Sequence, residues 1–443
     1  MARPGRLLGV RDAVALMVGM VVGIGVFKVP ALAALRLDDP LVILGLWGLG
    51  ALIALVGALC YAELASAHPD AGGEYHFLAL AFGPGFAFLF GWARLVVVQT
   101  GAIAAVAFVF GDYAQRLVHL GPYGASIYSA LAVIGLTTLN IRGTRLSATV
   151  QDCLAAILVT AVAAAALAGF IIGPGEASAV SAPGAGPATS AAGIGFAMIF
   201  VMLTYGGWNE AAYLSAELKD VRRNMVRAML IATAVVAGLY LAINAAYLYV
   251  LGPAAMRASD AIGADYMRAL AGAPGALALT VIVLVAALTT LNATLFTGAR
   301  SAFALGRNTP LLTVLGRWDP GAEGPVNAHL AQAALALALI GLGTATRKGF
   351  ATMVDYTAPV FWFFLLATGL ALFVLRRRGS APEGAFRVPL FPLTPLLFCA
   401  SSAYMLHAAL SYTGFGALVG VGVVALGLPL WWMIRRREAR VRA

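Results

Sequence analysis

Apolar residues in this chain come in long continuous runs, without the two-residue alternation of half-buried strands or the single apolar stripe of surface helices. Twelve such runs lie near 12–31, 41–62, 84–111, 124–140, 147–172, 192–215, 226–251, 276–300, 327–346, 350–375, 389–410 and 415–434. Each approaches or exceeds the length a helix needs to cross a hydrocarbon core of about 30 Å. The first run has no small-residue cleavage site behind it and keeps the spacing of the others, so it reads as a retained span. The longest gaps, 173–190 and 252–274, suit loops and short surface helices and leave no room for a soluble domain. The pattern predicts an all-α membrane protein with twelve transmembrane helices.

Composition agrees. Of 443 residues, 61% are hydrophobic and 11% charged, and the mean hydropathy is +0.90, whereas soluble domains carry about 25% charged residues. The net charge of +10 would suit nucleic acid in a soluble protein, but here the cations sort by side of the membrane. With the amino terminus inside, one face collects Arg3, Arg6, Arg11, Arg142, Arg145, Lys219, Arg222, Arg223, Arg227, Arg300, Arg307, Arg317, Arg376 to Arg378, Arg387 and the tail arginines from Arg435 to Arg442. The other face holds Arg36, Arg116, Arg257, Arg268, Arg347 and Lys348, while Lys28 and Arg94 fall within spans. Both termini are therefore expected in the cytoplasm, with the arginine clusters anchoring topology on anionic lipid and not reading nucleic acid. The excess of arginine over lysine and the abundant alanine and glycine point to a GC-rich bacterial source, hence a bacterial cytoplasmic (inner) membrane. Cys60, Cys153 and Cys399 sit in or at the ends of spans and form neither a disulfide framework nor a zinc spacing.

Two spans contain residues that loosen a helix. In VVGIGVFKVP, residues 21–30, Gly19 and Gly23 have the spacing of a helix-packing face, but Gly25 and Pro30 fall outside that explanation. In the sixth run, adjacent Gly206 and Gly207 cannot share one packing face. Each glycine costs about 1 kcal/mol relative to alanine in a helix, and a backbone group freed within lipid costs more unless something binds it. Five spans separate the two places, so the second half enters the membrane from the opposite side. That predicts an inverted repeat of residues 1–175 and 190–378, followed by two spans and a basic tail in 386–443. Paired glycine-interrupted segments at matching places in two halves point to a transporter's central site. An unwound segment offers N–H donors at one half-helix end and carbonyl acceptors at the other, which suits the carboxylate and ammonium of a zwitterion.

Further stretches carry a family resemblance: GIGVF at 23–27, YAELASAHPDAGGEY at 61–75, AFGPGFAFLFGW at 81–92, YGGWNEAAYLSAELKDVRRN at 205–224, NATLFTGARSAFALGRN at 292–308 and FRVPLFPLTPLLF at 386–398. Together they resemble the amino acid-polyamine-organocation transporters, and YGGWN resembles the bacterial relatives of the L-type amino acid transporters. The resemblance implies a leucine-transporter-like 5+5 inverted repeat plus two helices, alternating access, and α-amino acids as substrates. By position it assigns Gly23, Ile24, Gly25 and Val26 to carboxylate binding, and Leu203, Tyr205, Gly206, Gly207 and Asn209 to the wall and gate of the sixth span.

The chain also departs from that family. Ile24 stands where a serine is usual, Leu203 where a gating aromatic is usual, and Leu158 where many members carry a coupling lysine. The loop GDYAQRLVHLGPYG, residues 111–124, has no cysteine to bond a heavy subunit, so no disulfide-linked partner is expected. Thr289 and Thr290 read either as hydroxyl ligands for a sodium ion, as in sodium-coupled relatives, or as threonines bonded back to their own helix. No cofactor is implied, and sodium or proton coupling stays open.

Other polar residues fall inside spans. Glu210 reads as a helix-start carboxylate, a proton acceptor or a counter-charge for a cationic substrate. Gln99, Asn292 and Asp355 face a cavity or bond neighbouring helices, the latter being the commoner role. Trp208 reads as filler at the glycine break. Glu63 and Glu74 read as solvated or snorkelling charges rather than gate salt bridges, Arg94 as snorkelling, and Glu217 lies near the same arginine-rich face.

A membrane-embedded enzyme would need clustered acid, base, nucleophile or metal ligands. The five histidines are scattered, and neither HExxH nor GxSxG occurs. The reading reached is a secondary amino acid transporter for neutral substrates, not an enzyme. Cationic amino acids or polyamines are the alternative substrates, and a non-transporting receptor or scaffold is the alternative class.

Overall fold

A computed structural model describes residues 7–27, 29–174, 190–259, 261–346, 349–379, 381–413 and 415–442. Lys28, Arg3, Arg6, Arg347, Lys348 and the side chains of Ile24 and Asp355 lie outside the described residues. The described chain is helical, and its only β-type pairings are two isolated bridges, Leu8 with Leu218 and Asp319 with Gly324.

In chain order the helices are α1 (Val10–Val21), α2 (Val29–Ala34), α3 (Pro40–Ala67), α4 (Glu74–Phe82), α5 (Pro84–Ala93), α6 (Gln99–Leu117), α7 (Gly124–Arg142), α8 (Thr144–Ile172), α9 (Ala191–Thr204), α10 (Val221–Val250), α11 (Gly252–Ala258), α12 (Ile262–Arg307), α13 (Val326–Thr346), α14 (Gly349–Arg377), α15 (Leu393–Thr413), α16 (Phe415–Ala425) and α17 (Gly427–Arg442). A π turn over Arg94–Val98 joins α5 to α6. The dipeptide Ala271–Gly272 kinks α12 just ahead of Pro274, as loss of a ladder hydrogen bond at proline requires.

Ten segments are long and apolar enough to cross a membrane, beginning at Pro40, Pro84, Gly124, Thr144, Val221, Ile262, Val326, Tyr356, Leu393 and Leu418. They coincide with ten of the runs read from sequence. The other two runs, 12–31 and 192–215, are the glycine-interrupted ones. Their helical pieces are too short to span alone: α1 has 12 residues, α2 has 6 and α9 has 14.

The outside of the bundle is apolar, with Leu41 78% and Ile171 83% exposed, as expected of helices facing lipid. Several charged and amide side chains, among them Arg94, Arg300, Glu217, Gln99 and Asn292, are buried inside. The short α1 lies at the centre, packed on α8, α10 and α12, while α9 packs on α2 and α3.

Candidate functional site

Both interruptions occur at the glycines. Helix α1 ends at Val21, the chain bends at Val22 and Gly23, and a 3₁₀ turn runs from Ile24 to Phe27. Helix α9 ends at Thr204, three turn residues follow, and a 3₁₀ segment runs from Trp208 to Leu214. Gly207 adopts φ +112°, a region that L side chains rarely enter.

The two breaks touch. A Cβ at Gly25 would lie 2.8 Å from Thr204 Cγ2, and one at Gly207 would lie 2.8 Å from Met20 Cγ and 3.3 Å from the Met20 carbonyl. Only glycine allows the backbones this approach. The carbonyls that the breaks release find donors from neighbouring helices. Tyr240 on α10 donates its hydroxyl to Val21 O at 2.6 Å and to Thr204 O at 3.3 Å, so one side chain serves the last residue of both half-helices. Thr290 on α12 donates to Gly19 O at 2.9 Å. Helix starts at Ile24 and Trp208 leave their first N–H groups without an intrahelical acceptor.

A narrow cleft beside the second break is lined by Gly206, Gly207, Trp208, Asn209, Met202 and residues of α14 and α15 including Phe361, Trp362, Phe398 and Ser402. It has room for about one water molecule. Trp208, one of the lining residues, stacks edge-on against Tyr61 at 5.2 Å and packs on Gly57.

Beneath Trp208 lies an ion cluster. The π turn aims Arg94 into the bundle, where it is 2% exposed. Its Nη1 donates to Glu74 Oε2 at 3.2 Å and its Nη2 donates to both oxygens of Glu210, 2.6 Å to Oε1. Glu74 also accepts hydrogen bonds from the hydroxyls of Tyr61 and Tyr213, the latter at 2.7 Å, and from Asn209 Nδ2 at 3.4 Å. Burial raises the Glu74 carboxyl above its ordinary value, Arg94 opposes the rise, and Glu210 adds to it.

Three one-to-one ion pairs lie close by. Arg300 pairs with Glu217, both 0% exposed; Arg307 pairs with Asp70 at 3.0 Å; Arg376 pairs with Glu63 at 2.5 Å, and the Val388 amide donates to the same carboxylate. These pairs correct the sequence reading of Glu63 and Glu74 as solvated and of Arg94 as snorkelling: each partner is remote in sequence, and burial is compensated by charge.

Of the residues singled out from sequence, Gly23, Gly25, Val26, Tyr205, Gly206, Gly207 and Asn209 gather around the two breaks, and Val26 and Asn209 are buried. The backbone of Ile24 opens the 3₁₀ turn. Leu203 is 45% exposed and is not among the residues that line this cleft. Gln99 serves as interhelical glue, donating to Thr294 O at 2.7 Å and Thr297 Oγ1 at 3.2 Å. Asn292 joins a buried amide network with Asn140 and Gln151 on α7 and α8, and Gln151 in turn packs on Gly19 near the end of α1.

Thr289 bonds back to Val285 O at 2.7 Å, whereas Thr290 reaches α1. In both bonds the threonine hydroxyl is the donor, so its oxygen keeps lone pairs and the bonds alone neither build nor exclude a cation site. Tyr240 was not evident from sequence, because one tyrosine in an apolar run carries no signal of what its hydroxyl meets.

Known proteins share this arrangement of sequence. The amino acid permease family model matches residues 8–434. The serine/threonine exchanger SteT of Bacillus subtilis is 25% identical over 98% of this chain and 97% of its own. The mouse b(0,+)-type amino acid transporter 1 is 27% identical over 90% of this chain and 82% of its own. The human large neutral amino acids transporter small subunit 2 is 27% identical over 96% and 80% respectively. With a family match across nearly its whole length and two interrupted helices meeting at its centre, the chain belongs to the amino acid permease family.

Proposed function

We propose that the chain is a secondary transporter for neutral amino acids in a bacterial cytoplasmic membrane, with both termini in the cytoplasm. It works by alternating access between inverted repeats 1–175 and 190–378, with 386–443 as a supporting pair of spans and tail. The observation that carries this reading is the contact of the two broken helices, with Tyr240 bonded to the released carbonyls of both. In this scheme the substrate carboxylate takes the N–H groups of 24–26, and its ammonium takes carbonyls released near 202–206. Gly206, Gly207 and Asn209 form the wall that must move, since the cleft beside them is too small for an amino acid in the form described.

Neutral substrates are favoured over cations because Glu210, the single carboxylate that argued for a cation, is held by Arg94. The relatives named as a serine/threonine exchanger and a large neutral amino acid transporter lean the same way. A cysteine-free loop at 111–124 supports function without a disulfide-linked subunit.

Purified protein in liposomes preloaded with unlabelled amino acid tests this directly. Counterflow of labelled L-serine, L-threonine or L-leucine without sodium is expected. Binding of these without counterflow would favour the receptor reading.

A further inference from the structure

At the end of the bundle that collects the cations, α3, α14 and the connection carrying Gly379, Ala381 and Arg387 enclose a cavity of about 100 Å³, against about 10 Å³ for the cleft beside Gly207. It has room for several water molecules or for one phosphate group. Its polar walls are Glu63 and His68 at the end of α3, Arg376 at the end of α14, and Arg387.

These groups do not balance. Arg376 donates from Nε and Nη2 to Glu63, donates from Nη2 also to Val388 O, and stacks over the Phe391 ring at 4.1 Å. The guanidinium is thereby fixed, while its Nη1 keeps no acceptor among the described residues. Glu63 is already engaged, because both its oxygens accept from Arg376 and one accepts from the Val388 amide as well. Arg387 adds an exposed guanidinium, and the cavity wall offers it no carboxylate besides Glu63. His68 cannot supply a negative charge. A fixed guanidinium with N–H groups to spare, beside a second arginine, is the chemistry that recognises phosphate oxygens.

The surroundings decide which phosphate. Phe391 is itself exposed, and so are its neighbours Leu390 and Leu393, 75% and 55%. Leu393 starts α15, a segment long and apolar enough to cross the membrane, so this lip stands where hydrocarbon gives way to headgroups. A free phosphate gains nothing from an apolar lip, whereas a phospholipid lays its acyl chains there.

We infer that the cavity binds the phosphate of an anionic membrane phospholipid, held by Arg376 and Arg387, with the acyl chains along Leu390, Phe391 and Leu393. A choline or ethanolamine headgroup is disfavoured, because its ammonium meets only a carboxylate that is already paired. The bound lipid ties the ends of α3 and α14 to the connection that leads into α15, and so stabilises the folded protein. The cavity shares no lining residue with the cleft beside Gly207, so the inference does not depend on the transporter reading.

The test follows thermal unfolding of the full-length protein in neutral detergent, in about 0.3 M salt to screen diffuse attraction. Phosphatidylglycerol, phosphatidylcholine with the same acyl chains, or inorganic phosphate is titrated in. Phosphatidylglycerol should raise Tm saturably, and the other two should not. Arg387→Gln should raise the half-saturating phosphatidylglycerol concentration about tenfold, as loss of one charge-assisted hydrogen bond requires. Ala381→Leu crowds the cavity without changing charge and should weaken binding as well. Arg377→Gln removes the same charge from an exposed residue off the cavity wall and should have a clearly smaller effect. No rise with phosphatidylglycerol, or an equal rise with phosphatidylcholine, overturns the proposal. An equal rise with inorganic phosphate also overturns it, since the site would then serve a free anion. Equal losses in Arg387→Gln and Arg377→Gln would mean attraction to a basic surface and no built site. If Arg387→Gln does not fold, Ala381→Leu decides alone, and undiminished binding in that variant contradicts the cavity.

Discussion

Gly25 lies directly against Thr204, so the unwound part of the first broken helix rests on the last turn of α9: a Cβ at Gly25 would come within 2.8 Å of both Cγ2 and Oγ1 of the threonine. The contact ties the two half-site backbones together. Gly25→Ala should therefore push the segments apart and reduce amino acid flux severely, while the protein still folds. Thr204→Ala, added to Gly25→Ala, removes the clashing atoms and should restore much of the flux. A double variant no better than the single one would mean that the glycine is needed for its backbone and not for the space.

Gly207 differs, because its φ of +112° strains any side chain whatever the space. Gly207→Ala should cost about 1–3 kcal/mol of stability, seen as a lowered Tm in detergent, and no partner substitution should recover it. Recovery by trimming Met20 would show that the cause is crowding.

Tyr240→Phe keeps the ring but removes the hydroxyl from Val21 O and Thr204 O. Val21 O keeps the Gly23 amide at 2.8 Å, but Thr204 O loses this donor, and a buried carbonyl left without one costs about 1–3 kcal/mol. The expected result is a destabilised protein whose amino acid affinity falls more than that of a Tyr247→Phe control, whose ring is also buried but lies against Tyr266. Equal effects would deny Tyr240 any special tie to the breaks.

Much of this was open to sequence reasoning. Lipid demands long apolar runs, and ten of them stand in the structure as helical segments long enough to cross a membrane. Adjacent glycines at 206 and 207 cannot share one helix-packing face, so the break there was legible as well. Ion pairing was not. Glu210 meets Arg94 from 116 residues away, and nothing local marks either as paired. Arg94 looked like a snorkelling charge because a regular helix would let it face the interface; the π turn that begins at Arg94 turns it inward, and no residue type signals such a turn.

The Arg94 cluster makes opposite predictions for its members. Arg94→Met leaves two buried carboxylates facing one another and should destabilise by about 3–5 kcal/mol. Glu210→Gln instead leaves a balanced Arg94–Glu74 pair and should be far milder. Thermal unfolding of both proteins in detergent checks the order, and a Glu210→Gln protein as unstable as Arg94→Met would reverse it.

His76 on α4 provides a pH test outside the spans. Burial lowers its affinity for protons, Asp70 works against this, and Arg307 adds to it. The unfolded chain takes up a proton near the ordinary histidine value of about 6.5, while the folded chain resists it. Stability is therefore lost as pH falls below that value. His76→Gln should lose less stability than wild type between pH 7 and 5.5, and parallel pH curves would show that His76 does not contribute.

The account depends on a zwitterion seated between two unwound helices. An experimental structure with a transported amino acid bound tests this most directly. The expected density places the carboxylate on the backbone of residues 24–26 and the ammonium on carbonyls near 202–206, with the cleft at Asn209 widened around the ligand. An amino acid bound elsewhere, with both breaks unchanged and closed, would contradict it.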